Sequence, residues 1–181
     1  MTDEMIKPKD TSKDDEICAE IIQYGKDILN SEVFRQAASE THHLKGTVMD
    51  HTINVCVVSL KLSRQLTNQG VKIRKKDLVH AALCHDLGMV SRDSKYNGRI
   101  DSWRSHPEES AKIAREIVPD LSEEAEKMIL SHMWPVAGPL PVSQEAMLLC
   151  VADKYASMAD WTSWLTRHKY AARIKEQLNL E

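Results

Sequence analysis

The sequence predicts an all-α fold, and three observations lead there. Apolar residues recur three and four positions apart through most of the chain, the spacing of one helix face. No stretch alternates apolar and polar residues as a half-buried strand does, and no asparagine-glycine turn separates two apolar runs. Glycine and proline fall between the periodic segments, where helices stop.

Residues 1–13 are rich in Lys, Asp and Thr and read as a mobile tail, leaving residues 14–181 as one helical domain. With 181 residues and 42% apolar content, one well-filled core is expected. Ile17, Ile21, Tyr24 and Ile28 predict a first amphipathic helix to about Leu29, followed by a short helical piece over Val33 to Ala38. Val48 to Gln69 carries two apolar stripes and reads as a central helix, with Gly70 as its stop and His51 in its first turns. Lys72, Arg74, Lys75 and Lys76 form a basic run that reads as a solvated helix entry. Leu78 to Leu87 then reads as a buried helix, closed by Gly88 in the left-handed conformation.

Met89 to Arg104 shows little periodicity and is expected to be a loop. Ser105-His106-Pro107-Glu108 has the form of a helix start: Ser105 as N-cap, Glu108 as its capping-box partner, Pro107 in the first turn, and His106 opening the helix. Pro119 ends that helix, and Asp120 with Glu123 caps the next, whose inner face runs Ala125, Met128, Ile129, His132 and Met133. After the turn-rich Pro135 to Pro141, a further helix turns Ala146, Leu149, Cys150, Asp153 and Ala156 inward. Trp161 to Leu180 reads as one or two closing helices, with Trp161 and Trp164 in the core or an interface.

A net charge of −3 supplies no dominating positive field, so binding to duplex nucleic acid or to an anionic membrane is not expected. No apolar run reaches the roughly 20 residues that span a bilayer, and the first 16 residues are too polar for a signal peptide, so the expected location is the cytoplasm. Cys18, Cys56, Cys84 and Cys150 are widely spaced among apolar neighbours and read as reduced core thiols.

The chemistry begins at His85-Asp86. A carboxylate at the end of an apolar helix needs a partner, and a metal ion is the readiest one. His51, His85, Asp86, His106, His132 and Asp153 all fall on inward faces or helix ends, and six such groups suit two metal ions. Imidazole and carboxylate donors without cysteine favour iron, manganese, zinc, nickel or magnesium, and argue against a structural zinc site. There is no Gly-rich phosphate loop and no Gly-x-Ser-x-Gly elbow.

In this order, Asp50-His51-Thr52-Ile53-Asn54-Val55, His85-Asp86-Leu87-Gly88, His106-Pro107-Glu108-Glu109-Ser110-Ala111, Ile129-Leu130-Ser131-His132 and Ala152-Asp153-Lys154 resemble the HD-domain superfamily of metal-dependent phosphohydrolases, in its two-metal form. The likeness covers about Thr47 to Asp160. It implies a helical bundle with the metal site in its core, where His51, His85, Asp86 and Asp153 hold a first metal, and His106 and His132 hold a second that shares Asp86. A metal-bridging hydroxide would then attack phosphorus, which assigns Asp86 a catalytic part. The stretch Ser131-His132-Met133-Trp134-Pro135 is also similar to small bacterial HD proteins that carry a histidine where His43 stands.

Two departures narrow the expectation. Met89 stands where some cyclic-dinucleotide phosphodiesterases of the superfamily carry a lysine, and their Gly-Tyr-Pro element is missing. Leu87 to Ser91 lacks the acidic residue that some nucleotidases and alarmone hydrolases use, so proton transfer falls to Asp93 or to water. The expected substrate is a small phosphoester, with a nucleotide as one case. Lys45, Arg92, Arg99, Arg104 and Lys154 are candidate contacts, because Arg and Lys neutralise phosphate oxygens. The same six-ligand order resembles di-iron oxygenases of the inositol-oxygenase and phosphonate-cleaving types, which stand as the alternative, with a metal-retaining ligand sensor as a third reading. Either a monomer or a homodimer is compatible with the sequence.

Overall fold

The computed structural model describes residues 11–42, 46–162 and 168–178. Among these it is helical nearly throughout: α1 (Thr11–Asn30), α2 (Glu32–Gln36), α3 (Val48–Asn68), α4 (Lys75–Cys84), α5 (Arg92–Lys95), α6 (Arg99–Ile117), α7 (Glu123–Ser131), α8 (Gln144–Thr162) and α9 (His168–Leu178). The single extended feature is an antiparallel pair of two-residue strands, β1 (Thr41–His42) and β2 (Gly46–Thr47), too short to organise a core.

Helix α3 is the axis. From Val48 through Val57 every residue is buried, because α3 packs against both α4 and α8 and is also met by α1 and α9. Its entry is held by Thr47, whose Oγ1 accepts from the Asp50 N–H at 3.1 Å. Its exit turns at Gly70 with φ +86°, the left-handed stop that the sequence predicts. The basic run does enter a helix, through ion pairs rather than bare charge. Arg74 meets Glu145 at 3.1 Å, Lys75 meets Glu20 at 2.6 Å and Lys76 meets Asp120 at 2.6 Å. The four cysteines are free and buried, and burial pushes the Cys56 and Cys84 thiols well up.

Several boundaries differ from the sequence expectation. Helix α1 already starts at Thr11, inside the segment read as a tail. Met89 to Arg104 is not a loop: a 3₁₀ turn (Leu87–Met89), the single-turn α5 and the first turns of α6 occupy it. The long helix begins after Gly98, where φ is +103°, and Asp101 Oδ2 reaches back to accept from the Asn97 N–H at 2.9 Å. Ser105 is therefore no cap, since its hydroxyl donates to Asp101 Oδ1 one turn earlier, and Pro107 lies inside α6. The cap of α7 is Ser122, accepting from Ala125 N–H at 3.0 Å, while Asp120 is drawn off to Lys76.

Gly88 is a further correction. It does not take the left-handed conformation, because the chain leaves α4 through a 3₁₀ turn. Its missing side chain serves close approach instead, since a Cβ there would lie 2.5 Å from the His106 carbonyl oxygen and 2.9 Å from Ser110 N. The Gly88 N–H donates to Ser110 Oγ at 2.9 Å, and its carbonyl accepts from the Tyr96 hydroxyl at 3.0 Å. The turn that follows Asp86 is thereby pressed onto the middle of α6. Trp164 and the side chain of Trp161 lie outside the described residues.

Candidate metal centre

Five helices bring the six predicted donors together. His51 comes from the first turn of α3; His85 caps α4 and Asp86 follows it; His106 lies two turns into α6; His132 caps α7; Asp153 lies midway along α8. All six are buried. Among the described residues, two groupings place their donor atoms within 4.8 Å of one another: His51, His85 and Asp86, and Asp86, His106 and His132.

Asp86 joins them, and its two oxygens face different partners. Oδ2 lies 3.6 Å from His51 Nε2 and 3.5 Å from His85 Nε2. Oδ1 lies 3.2 Å from His106 Nε2 and 3.5 Å from His132 Nε2. Asp153 falls on the first side, its Oδ1 3.1 Å from His51 Nε2 and 3.8 Å from His85 Nε2.

Backbone carbonyls aim three of the rings. Nδ1 of His85 donates to Ala82 O at 2.8 Å, Nδ1 of His106 to Ser102 O at 2.8 Å, and Nδ1 of His132 to Ile129 O at 2.6 Å. A neutral imidazole that spends its proton on Nδ1 presents a lone pair at Nε2, which is how a ligating histidine is oriented. These carbonyls lie three or four residues before their histidines, on the same helix or at its end. Sequence reasoning passed over them, because only the ring rotamer reveals the contact.

The donors fit a metal ion on the structure's own evidence. His85 Nε2 is fully buried with no hydrogen-bond partner, an orphan that a packed interior rarely keeps. Burial holds His85 down to about pKa 4, against the pull of Asp86, so it keeps this lone pair at neutral pH. His106 behaves oppositely. Burial is the largest single influence and works against its charge, but the hydrogen bond and negative charge of Asp86, with smaller help from the Ser102 carbonyl and Asp153, together raise its pKa. Burial would also raise Asp86, yet His85 and the bonds from His106 and His132 hold its carboxyl well below the usual range. Asp153 is lowered too, burial being outweighed by the His51 bond and by His85. Two buried carboxylates thus stay charged among imidazoles, a cavity that stabilises positive charge.

The other predicted residues lie around this centre. Lys154 Nζ donates to His132 O at 2.5 Å and to Asp153 Oδ2 at 3.1 Å, so it binds two parts of the site together. Arg92 and Asp93 sit beside each other on α5 at 3.5 Å, the Asp93 side chain 97% exposed, and are not drawn into the cluster. Arg99 and Arg104 are exposed on the first two turns of α6, with the Arg99 guanidinium 5.9 Å from the Trp103 ring centre. Lys45 and His43 lie outside the described residues. No described helix is long and apolar enough to cross a membrane.

Comparison with known proteins agrees with this geometry at the level of family. No curated protein matches the chain. A solved structure of a conserved hypothetical protein from Pyrococcus furiosus is 18% identical, with a TM-score of 0.44 over 93% of this chain and 98% of that one. Residues 48–158, well over half of the chain and the span that holds all six donors, match the HD domain. The chain is a member of the HD-domain family, with the family's buried His/Asp cluster able to hold metal at its core.

Proposed function

We propose that the protein is a metal-dependent phosphohydrolase that cleaves a small phosphoester or nucleotide at a two-metal site. The observation that carries this reading is Asp86, whose two oxygens each face a separate pair of imidazoles. His51, His85 and Asp153 would hold one ion and His106 and His132 the other, with Asp86 shared between them. When bound, such ions neutralise developing charge on phosphate oxygens and make a water molecule acidic enough to serve as nucleophile at neutral pH.

The chain's own residues supply the rest. The carbonyls of Ala82, Ser102 and Ile129 fix three ring orientations, and the tight seat of Gly88 against α6 fixes Asp86 relative to His106. Arg92, Arg99 and Arg104 project from α5 and α6, between Asp86 and His106 in the chain, and neutralise the substrate's outer phosphate oxygens together with Lys45. The leaving-group proton comes from solvent, since Asp93, 97% exposed beside Arg92, stands apart from the cluster.

The test is a panel of nucleotides and small phosphoesters incubated with manganese-reconstituted protein under strictly anaerobic conditions. Release of phosphate or of a nucleoside supports the proposal. A flat panel, together with turnover that needs iron and consumes oxygen, would replace it with the oxygenase reading.

A further inference from the structure

Helix α8 is apolar on two opposite faces. Its inner face holds Ala146, Leu149, Ala152, Asp153 and Ala156 in the core. Its outer face carries Met147, Val151, Tyr155 and Met158, exposed at 40, 50, 61 and 73%, at spacings of four, four and three that form one stripe. A helix that is apolar all round is ordinarily covered all round. Leu140 and Val142, 59 and 82% exposed, lie in the segment just before α8, a few residues from Met147.

Charge is withdrawn from this face. Glu145 is buried against Arg74, Asp153 is buried in the metal centre, and Lys154, which lies beside the stripe, turns its ammonium inward to His132 O and Asp153. The stripe also reads nearly the same in both directions. Val151 and Tyr155 lie two residues either side of residue 153, and Met147 and Met158 lie six and five residues from it.

We infer that this face is the interface between two copies of the chain, with the two α8 helices packed antiparallel about a two-fold axis near residue 153. In that register Met147 meets the second copy's Met158, and Val151 meets the second copy's Tyr155. An isologous contact requires such self-complementarity, and an uncharged stripe brings no like charges together under the rotation. At roughly 100 Å² of exposed surface apiece, the six side chains supply most of the roughly 800 Å² that each copy gives to a standard interface.

Sedimentation velocity and light scattering on the full chain test this over micromolar concentrations. The expected mass is twice the 20.6 kDa of one chain. Val151→Glu with Tyr155→Glu should give a monomer of unchanged circular dichroism, while Ile100→Glu, on exposed α6, leaves the dimer intact. Should the double variant misfold, single-cysteine proteins decide: Val151→Cys mixed with Tyr155→Cys should form a disulfide between copies on mild oxidation. A monomeric wild-type protein, a dimer that survives both glutamates, or no 151-to-155 disulfide overturns the inference. None of these outcomes depends on metal content or on activity.

Discussion

The Nε2 atoms of His106 and His132 lie 3.0 Å apart, although each ring already directs its Nδ1 to a backbone carbonyl. Two neutral imidazoles so arranged would set lone pair against lone pair, so a positive charge is required between them, and Asp86 Oδ1 stands 3.2 Å and 3.5 Å away to balance it. A proton can serve, and Asp86 favours one on His106 by raising its pKa. A metal ion serves both rings at once.

Removing one ring should therefore remove one ion. His132→Ala is expected to lower the metal content of purified protein toward one per chain, and to slow turnover on the order of 100-fold or more. Asp86→Ala should lose both ions. Elemental analysis with circular dichroism checks this, and unchanged metal in a folded Asp86→Ala protein would end the shared-carboxylate reading.

Gly88→Ala tests the tight turn. The added methyl meets backbone, the His106 carbonyl oxygen at 2.5 Å, so α6 must shift. The expected cost is about 1–3 kcal/mol, seen as a fall in Tm of several degrees. Metal affinity should fall as well, because the shift carries His106 away from Asp86. Unaltered Tm and metal content would show that the turn yields freely.

Lys154→Met separates two roles for one residue. As the tie between His132 O and Asp153, its loss should weaken metal binding by about 10–100-fold in a titration without substrate. A phosphate contact alone would instead raise KM and leave metal affinity unchanged.

Acid should destabilise the metal-free protein through His85. Burial depresses its folded pKa to about 4 from the ordinary histidine value of about 6.5. The unfolded chain thus binds this proton first, and the stability present above pH 6.5 is lost as pH falls through 4. Between pH 7 and pH 5 the loss from this residue alone is about 2 kcal/mol. Urea unfolding after chelation measures it, and His85→Gln should flatten that part of the pH profile. An equal slope in both proteins would assign the acid sensitivity elsewhere.

Much of the site was legible before any coordinates. His-Asp at the end of an apolar helix, His132 at the closing position of its stripe and Asp153 on an inward face are each anomalies of burial, and burial is what helical spacing reports. The local punctuation around His106 misled. Ser105-His106-Pro107-Glu108 has every feature of a helix start, yet α6 begins seven residues earlier at Gly98. There the positive φ of the glycine and the Asp101 carboxylate terminate the turn. A capping box is a short-range signal, and here the helix runs on through Pro107, with Gly88 seated against its His106-to-Ser110 turn.

By itself, then, the sequence determined an all-α chain and which six polar side chains fall on its buried faces and helix ends, where they could hold a cation. Tertiary structure decided the rest: that Asp86 turns one oxygen to His51 and His85 and the other to His106 and His132, that Ala82, Ser102 and Ile129 lend their carbonyls to the rings, and that Lys154 bends back instead of reaching outward. The reason is physical. Residue type and spacing fix which face of a helix is buried, whereas the rotation of a carboxylate or an imidazole is set by partners distant in sequence, and those meet only when the helices pack.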